Sequence, residues 1–156
     1  MNDELKNIEY VLFDLDGTVS DSSEGIMKST DRALKSEGIN VPFETLTKFI
    51  GPALRVSFGW YTDDEEKRDR MLKVYRERYS EKGWCENKIY PGMAELLRDL
   101  QKIGKHVVLA SAKPEYFCRK IIKYFGVEQY FDFIGGSDME GKRDDKTVLL
   151  TYVLEN

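Results

Sequence analysis

The chain has 156 residues, 41% hydrophobic and 33% charged, which fits one globular domain or a small core with a sizeable insertion and excludes a disordered or fibrous polypeptide. Its 24 Lys and Arg against 28 Asp and Glu leave a net charge of −4, which provides no broad electrostatic footprint for nucleic acid or an anionic membrane. Cys85 and Cys118 lie far apart in no CxxC pattern, so neither a zinc site nor a disulfide framework is suggested. The charged start MNDELKNIEY carries no secretory signal, and no apolar run approaches the roughly 18 residues of a membrane span. A cytoplasmic protein is expected.

In chain order, Tyr10–Phe13 is a short apolar run, the pattern of a parallel strand covered on both faces. SSEGIMKSTDRALKSEG reads as a helix, capped by Ser22 or Ser23 and ended by Gly38, with Ile26, Thr30, Ala33 and Leu34 on one face. Pro42 fits the first turn of a further helical piece, PFETLTKFI, closed by Gly51-Pro52. Asp63-Asp64 opens a long charged helix ending at Gly83, with Leu72, Tyr75 and Tyr79 as its buried stripe.

From residue 88 the pattern becomes helix, strand, helix, strand, helix. PGMAELLRDLQKIG is amphipathic, with Leu96, Leu97, Leu100 and Ile103 on one side. HVVLAS is a second buried strand, PEYFCRKIIKYFG a helix, FDFIGG a third strand and DDKTVLLTYVLEN a last helix. That alternation implies right-handed βαβ units and a parallel sheet. The expected organisation is a discontinuous α/β core, residues 1–18 and 88–156, with an inserted all-helical module at residues 19–87.

Aspartate is depleted from strands, yet VLFDLDGT ends an apolar strand with Asp14 and Asp16, two apart. Two carboxylates at that spacing, with a turn just beyond, can face one pocket. They favour a hard cation such as Mg²⁺, and they divide into a nucleophile and a general acid/base. Gly17 lets the chain turn sharply and Thr18 can fix the turn. In parallel α/β sheets ligands gather beyond the carboxyl ends of the strands, where the second strand brings Ser111 and the backbone amides that follow it. Lys146 stands near a helix start, where the macrodipole disfavours cations, which is explained if it reaches toward a bound anion. The plainer alternatives are a turn serine and a surface lysine balanced by Asp144 and Asp145. An anion between two aspartates, a serine and a lysine reads as a phosphoryl group.

With these residues in view, the sequence resembles the haloacid dehalogenase-like superfamily of aspartate-dependent phosphatases. FDLDGTVSDS looks like its first motif, VVLAS its second and the lysine of RDDKTVLL its third. DSSEGI, FIGPAL, YPGMAELL, SAKPEYF and YFDFIGGSDMEG are similar to the phosphoglycolate phosphatase and 5′-nucleotidase-like branch. The resemblance implies a Rossmann-like core with a helical cap. It implies Asp14 as the nucleophile that becomes an aspartyl-phosphate and Asp16 as general acid, then base. Mg²⁺ would be held by Asp14 and Asp16, and phosphoryl oxygens by Ser111, Ala112 and Lys146. The substrate expected is a small phosphorylated metabolite, phosphoglycolate-like or a nucleoside monophosphate. A phosphomutase or a non-catalytic phosphate-binding module are the other readings.

The family's fourth motif, acids on a strand after the third-motif helix, finds no match before Asn156; Asp138, Glu140, Asp144 and Asp145 precede Lys146. A truncated representative is therefore expected, with its first strand left as an unpaired edge. Lys113, Lys48 and Arg55 are candidate substrate contacts, with solvent-facing cations as the alternative. His106, at the start of the second strand, is expected to be structural or superficial, and Trp60 and Trp84 to be packing residues.

Overall fold

A computed structural model describes residues 7–138, 143 and 145–156. The chain is mixed α/β and divides into two compact units, Met1–Val19 with Ile89–Asn156, and Ser20–Lys88.

The first unit is built on a parallel three-stranded sheet. β1 (Tyr10–Phe13) pairs with β4 (His106–Pro114), which pairs with β5 (Phe133–Ser137), in the order β1-β4-β5. Phe13 lies beside Leu109 and Ser111 beside Gly136, so the carboxyl ends of the strands come together at one edge. Side chains alternate across β4. Val108 and Ala110 pack with Leu149 and Val153 of α6 (Lys146–Glu155). The other helices at β4 are α4 (Met93–Lys102) and α5 (Glu115–Tyr124). Gly135 is required here, because a Cβ on it would lie 2.4 Å from Cγ2 of Val153.

Two expectations about this unit need correction. β1 is not covered on both faces: Tyr10 is 56% and Leu12 38% exposed. Among the described residues β1 ends the sheet, and α6 packs on β4 and β5. A groove of about 510 Å³, lined by Tyr10, Leu12, Val108, Phe133, Val153 and Leu154 among others, runs along this face. The apolar stripe of α4 is also narrower than its periodicity suggests. Leu97 is fully buried, whereas Leu96 and Ile103 are about half exposed. One face of a ten-residue helix meets the sheet, and those two residues flank it.

The second unit is helical. α1 (Ser23–Ser36) packs on α3 (Glu65–Glu81), with the short α2 (Leu54–Gly59) beside α3. α1 buries the expected Ile26, Thr30, Ala33 and Leu34. Asp64 caps α3 by accepting from the amides of Glu66 and Lys67. PFETLTKFI forms a 3₁₀ rather than an α-helix, over Phe43–Phe49, and Gly83 begins a second 3₁₀ turn, Gly83–Cys85. Phe49 and Phe58 are buried, with Phe49 edge-on to Phe58 and Trp60, while Tyr75 and Tyr79 stack at 5.5 Å. Two short strands, β2 (Ser20–Asp21) and β3 (Lys88–Ile89), pair with each other. Among the described residues no helix is long and apolar enough to cross a membrane.

Candidate active site

The carboxyl end of β1 runs directly into Asp14-Leu15-Asp16. Leu15 is fully buried and anchors the segment in the core. Gly17 follows with φ +79°, a conformation that a side chain would strain, and the amides of Thr18 and Val19 close the turn on the Leu15 carbonyl. Both aspartates are therefore held by buried or hydrogen-bonded backbone on either side.

Each aspartate meets a lysine. The Lys146 ammonium donates to Asp14 Oδ2 at 3.0 Å, while the Leu15 amide donates to Asp14 Oδ1 at 2.7 Å. Lys146 is the first residue of α6, and Asp145 caps that helix by accepting from the amides of Thr147 and Val148. The cap offsets the adverse helix-end charge and leaves Lys146 to reach Asp14. The second pair is Lys113 with Asp16, 3.0 Å from Nζ to Oδ2, and it is far more buried: 7% and 11% of the side chains are exposed, against 59% and 33% for Lys146 and Asp14.

Ser111 is buried on β4, and its Oγ accepts from the Lys113 amide at 3.3 Å. Ala112 lies between them in the stretch where the β4–β5 register shifts. Cys118, the nearby thiol, donates to the Lys113 carbonyl at 3.4 Å. Burial pushes its pKa far above the ordinary thiol value, so it stays protonated and is not a nucleophile. Two carboxylates, two ammonium groups and a hydroxyl thus converge at the ends of β1 and β4 and the start of α6. This is an arrangement suited to an anion that must approach a carboxylate.

Residues 11–155 match the haloacid dehalogenase-like hydrolase family. The chain belongs to that family. The 5′-nucleotidase of Pseudomonas aeruginosa is 37% identical across 100% of this chain and 72% of its own length. The tyrosine-protein kinase PtkA of Mycobacterium tuberculosis is 35% identical across 94% of this chain. The chain spans about half the length of that curated relative, 50%. Among solved structures, a predicted phosphatase from Clostridium acetobutylicum superposes with a TM-score of 0.91 at 42% identity, covering 95% of this chain and 69% of the other.

In the helical unit, Lys48 sits over the rings of Trp60 and Tyr61, and Arg55 is ion-paired with Asp69. His106 stacks on Tyr10 at the amino end of β4, with Nδ1 3.5 Å from Asp132. Asp145 is the α6 cap, whereas Glu140 and Asp144 lie outside the described residues. The contact that sequence reasoning missed is Lys113 on Asp16. The signal available was its position two residues after Ser111, on the same face of an extended strand.

Proposed function

We propose that the protein is an Mg²⁺-dependent phosphatase of small phosphomonoesters, phosphoglycolate-like or nucleoside monophosphates, acting in the cytoplasm through an aspartyl-phosphate on Asp14. The observation that carries this reading is the pairing of each strand-end aspartate with its own lysine. A carboxylate attacking a phosphate dianion faces repulsion, and ammonium groups at the point of attack reduce it. Lys146 has three donors, so it can hold Asp14 and still bind a phosphoryl oxygen. Ser111 and the Ala112 amide would bind the other phosphoryl oxygens.

In the reaction, an Asp14 carboxylate oxygen bonds to phosphorus as the ester P–O bond breaks, and Asp16 gives its proton to the departing alcohol oxygen. Asp16, now a carboxylate, takes a proton from the water whose oxygen attacks phosphorus. The Asp14–phosphorus bond then breaks and phosphate leaves. The donor set suits a hard cation in kind: the Asp14 carboxylate and the Asp16 backbone carbonyl, both oxygen donors at the end of β1. Among the described residues no group of three or more His, Cys, Asp or Glu forms a metal centre, so the remaining ligands come from water, substrate or further protein groups. When bound, Mg²⁺ would supply charge neutralisation for the transferring phosphoryl group.

The test is a phosphate-release screen of the full-length protein over small phosphomonoesters, with and without EDTA. The expected result is turnover of at least one ester, abolished by the chelator and restored by added Mg²⁺. No release from any ester, or release indifferent to chelation, would overturn the reading or its metal requirement respectively.

A further inference from the structure

Gly135 and Gly136 are neighbours on β5, yet they meet different partners. A Cβ on Gly135 would lie 2.4 Å from Cγ2 of Val153, the end of a core side chain. A Cβ on Gly136 would lie 2.6 Å from the Lys113 carbonyl oxygen and from the amide nitrogen and Cα of Glu115, all of them backbone atoms. Moving a side chain can ease the first clash; nothing so cheap eases the second. Gly136 is therefore where the backbone leaving β4 presses against β5. The contact falls at the irregularity of the sheet. Ser111 pairs with Gly136 and Pro114 with Ser137, so Ala112 and Lys113 are the extra residues of a bulge. The bulge is tied down elsewhere too. Lys113 donates its amide to Ser111 Oγ at 3.3 Å, and its carbonyl receives the Cys118 thiol at 3.4 Å. Pro114 confines Lys113 to extended backbone. The Lys113 carbonyl is thus held between the thiol and Gly136, while the amide of the same residue fixes the Ser111 hydroxyl.

We propose that Gly136 is a positioning residue for the phosphoryl-binding segment Ser111–Ala112. Its missing side chain lets the bulge seat on β5, and the seated bulge sets where Ser111 Oγ and the Ala112 amide stand. This rests on the phosphatase reading above, in which those two groups bind phosphoryl oxygens. A Cβ at position 136 lifts the Lys113–Glu115 backbone from β5 and carries the Ser111 contact with it. Displacements of about 1 Å in such a site can cost about 10²-fold. Gly135 faces Val153 on α6 instead, so a side chain there crowds the core and leaves the bulge seated.

The experiment compares Gly136→Ala and Gly135→Ala with the wild-type full-length protein. For each, kcat and KM are measured on 4-nitrophenyl phosphate, together with the inhibition constant of inorganic phosphate and a thermal melt. Gly136→Ala should lower kcat/KM by about 10²-fold and weaken inorganic phosphate by at least about 10-fold. Gly135→Ala should melt at a lower temperature than wild type while keeping kcat/KM and phosphate inhibition within about 3-fold. Loss of stability alone does not move the phosphate constant of the protein that remains folded, so that constant separates positioning from packing. A folded Gly136→Ala protein that binds phosphate like wild type overturns the proposal. So does a Gly135→Ala protein that weakens phosphate equally, because Gly136 would then be one core contact among several. Should melts show Gly136→Ala unfolded, Pro114→Gly decides, since it frees the Lys113 backbone without a clash. Phosphate weakened by at least about 3-fold in that variant supports the proposal, and a smaller change overturns it. A wild type that neither hydrolyses this ester nor any other overturns the phosphatase reading and this proposal with it. An active wild type whose variants keep its phosphate constant overturns the proposal alone.

Discussion

Two largely buried ion pairs, one in each unit, differ in how fully they satisfy their carboxylates. In the helical unit Arg78 meets Glu86 through two hydrogen bonds of 2.8 and 3.0 Å, with 14% and 11% of the side chains exposed. In the α/β unit Lys113 meets Asp16 at 3.0 Å, with 7% and 11% exposed. Burial is nearly equal, but the accounting of acceptors differs. Both Glu86 oxygens are bonded to the guanidinium, and Lys28 stands 3.5 Å away as well. Asp16 has one oxygen paired and one buried without a partner. A fork-to-fork pair satisfies a carboxylate and rigidifies what it joins; a point charge on one oxygen leaves the other for something else. Of these two pairs, the one whose carboxylate keeps an unpaired oxygen lies at the proposed site.

The comparison can be broken most severely at the aspartates. Asp14→Asn should reduce turnover to background with the fold retained, since a neutral amide cannot attack phosphorus; phosphate release and a melting curve check both halves. Asp16→Asn should lower kcat by about 10²–10⁴-fold on an alkyl phosphate and much less on an activated aryl phosphate. Equal losses on the two would make Asp16 structural, and the contrast with Glu86 would disappear.

Arg78→Ala should act on stability instead. It strands Glu86, and roughly 2–3 kcal/mol is expected, less than for a fully isolated buried charge because Lys28 remains close. Denaturant unfolding measures it. The hydrogen bond from Arg78, then its charge, holds the Glu86 carboxyl below the ordinary glutamate value of 4.5. A lowered carboxylate pKa stabilises the fold above the unfolded value, and the contribution fades as pH falls from about 4.5 through the folded value. Wild type should therefore lose stability faster than Arg78→Ala on acidification in that window, as read by melts from pH 6 to pH 3. Least affected should be Arg70→Ala. Its bidentate partner Glu37 is bonded at 2.8 and 2.9 Å, but the arginine is half exposed, and no resolvable change in melting temperature is expected.

Much of this was legible in the sequence. The α/β class followed from the change of periodicity after residue 88, and the strand-end aspartates stood out because strands disfavour them. What was not legible depends on the third dimension. Tyr10 and Leu12 read as buried because an apolar run does not disclose which strands the neighbouring helix covers, and α6 packs on β4 and β5; Leu96 and Ile103 read as buried because periodicity sets a stripe's direction, not the width of the neighbour. PFETLTKFI has a helical pattern, and spacing alone does not separate 3₁₀ from α over seven residues. Lys113 was legible as a cation after Ser111 and a candidate substrate contact, but not as the partner of Asp16. Its partner comes from the parallel pairing of β1 with β4, which sets Phe13 beside Leu109 and so carries Asp16 toward the end of β4. Lys146, 132 residues from Asp14, was legible through its awkward place at a helix start, a local signal of a distant partner.

The central claim is that Asp14 is the group that becomes phosphorylated. Beryllium fluoride, which mimics an acyl-phosphate on a carboxylate, should be soaked with Mg²⁺ into crystals of the full-length protein and the adduct located. The account predicts the beryllium on an Asp14 carboxylate oxygen with Lys146 against its fluorides. An adduct on any other residue, with Asp14 unmodified, would contradict it.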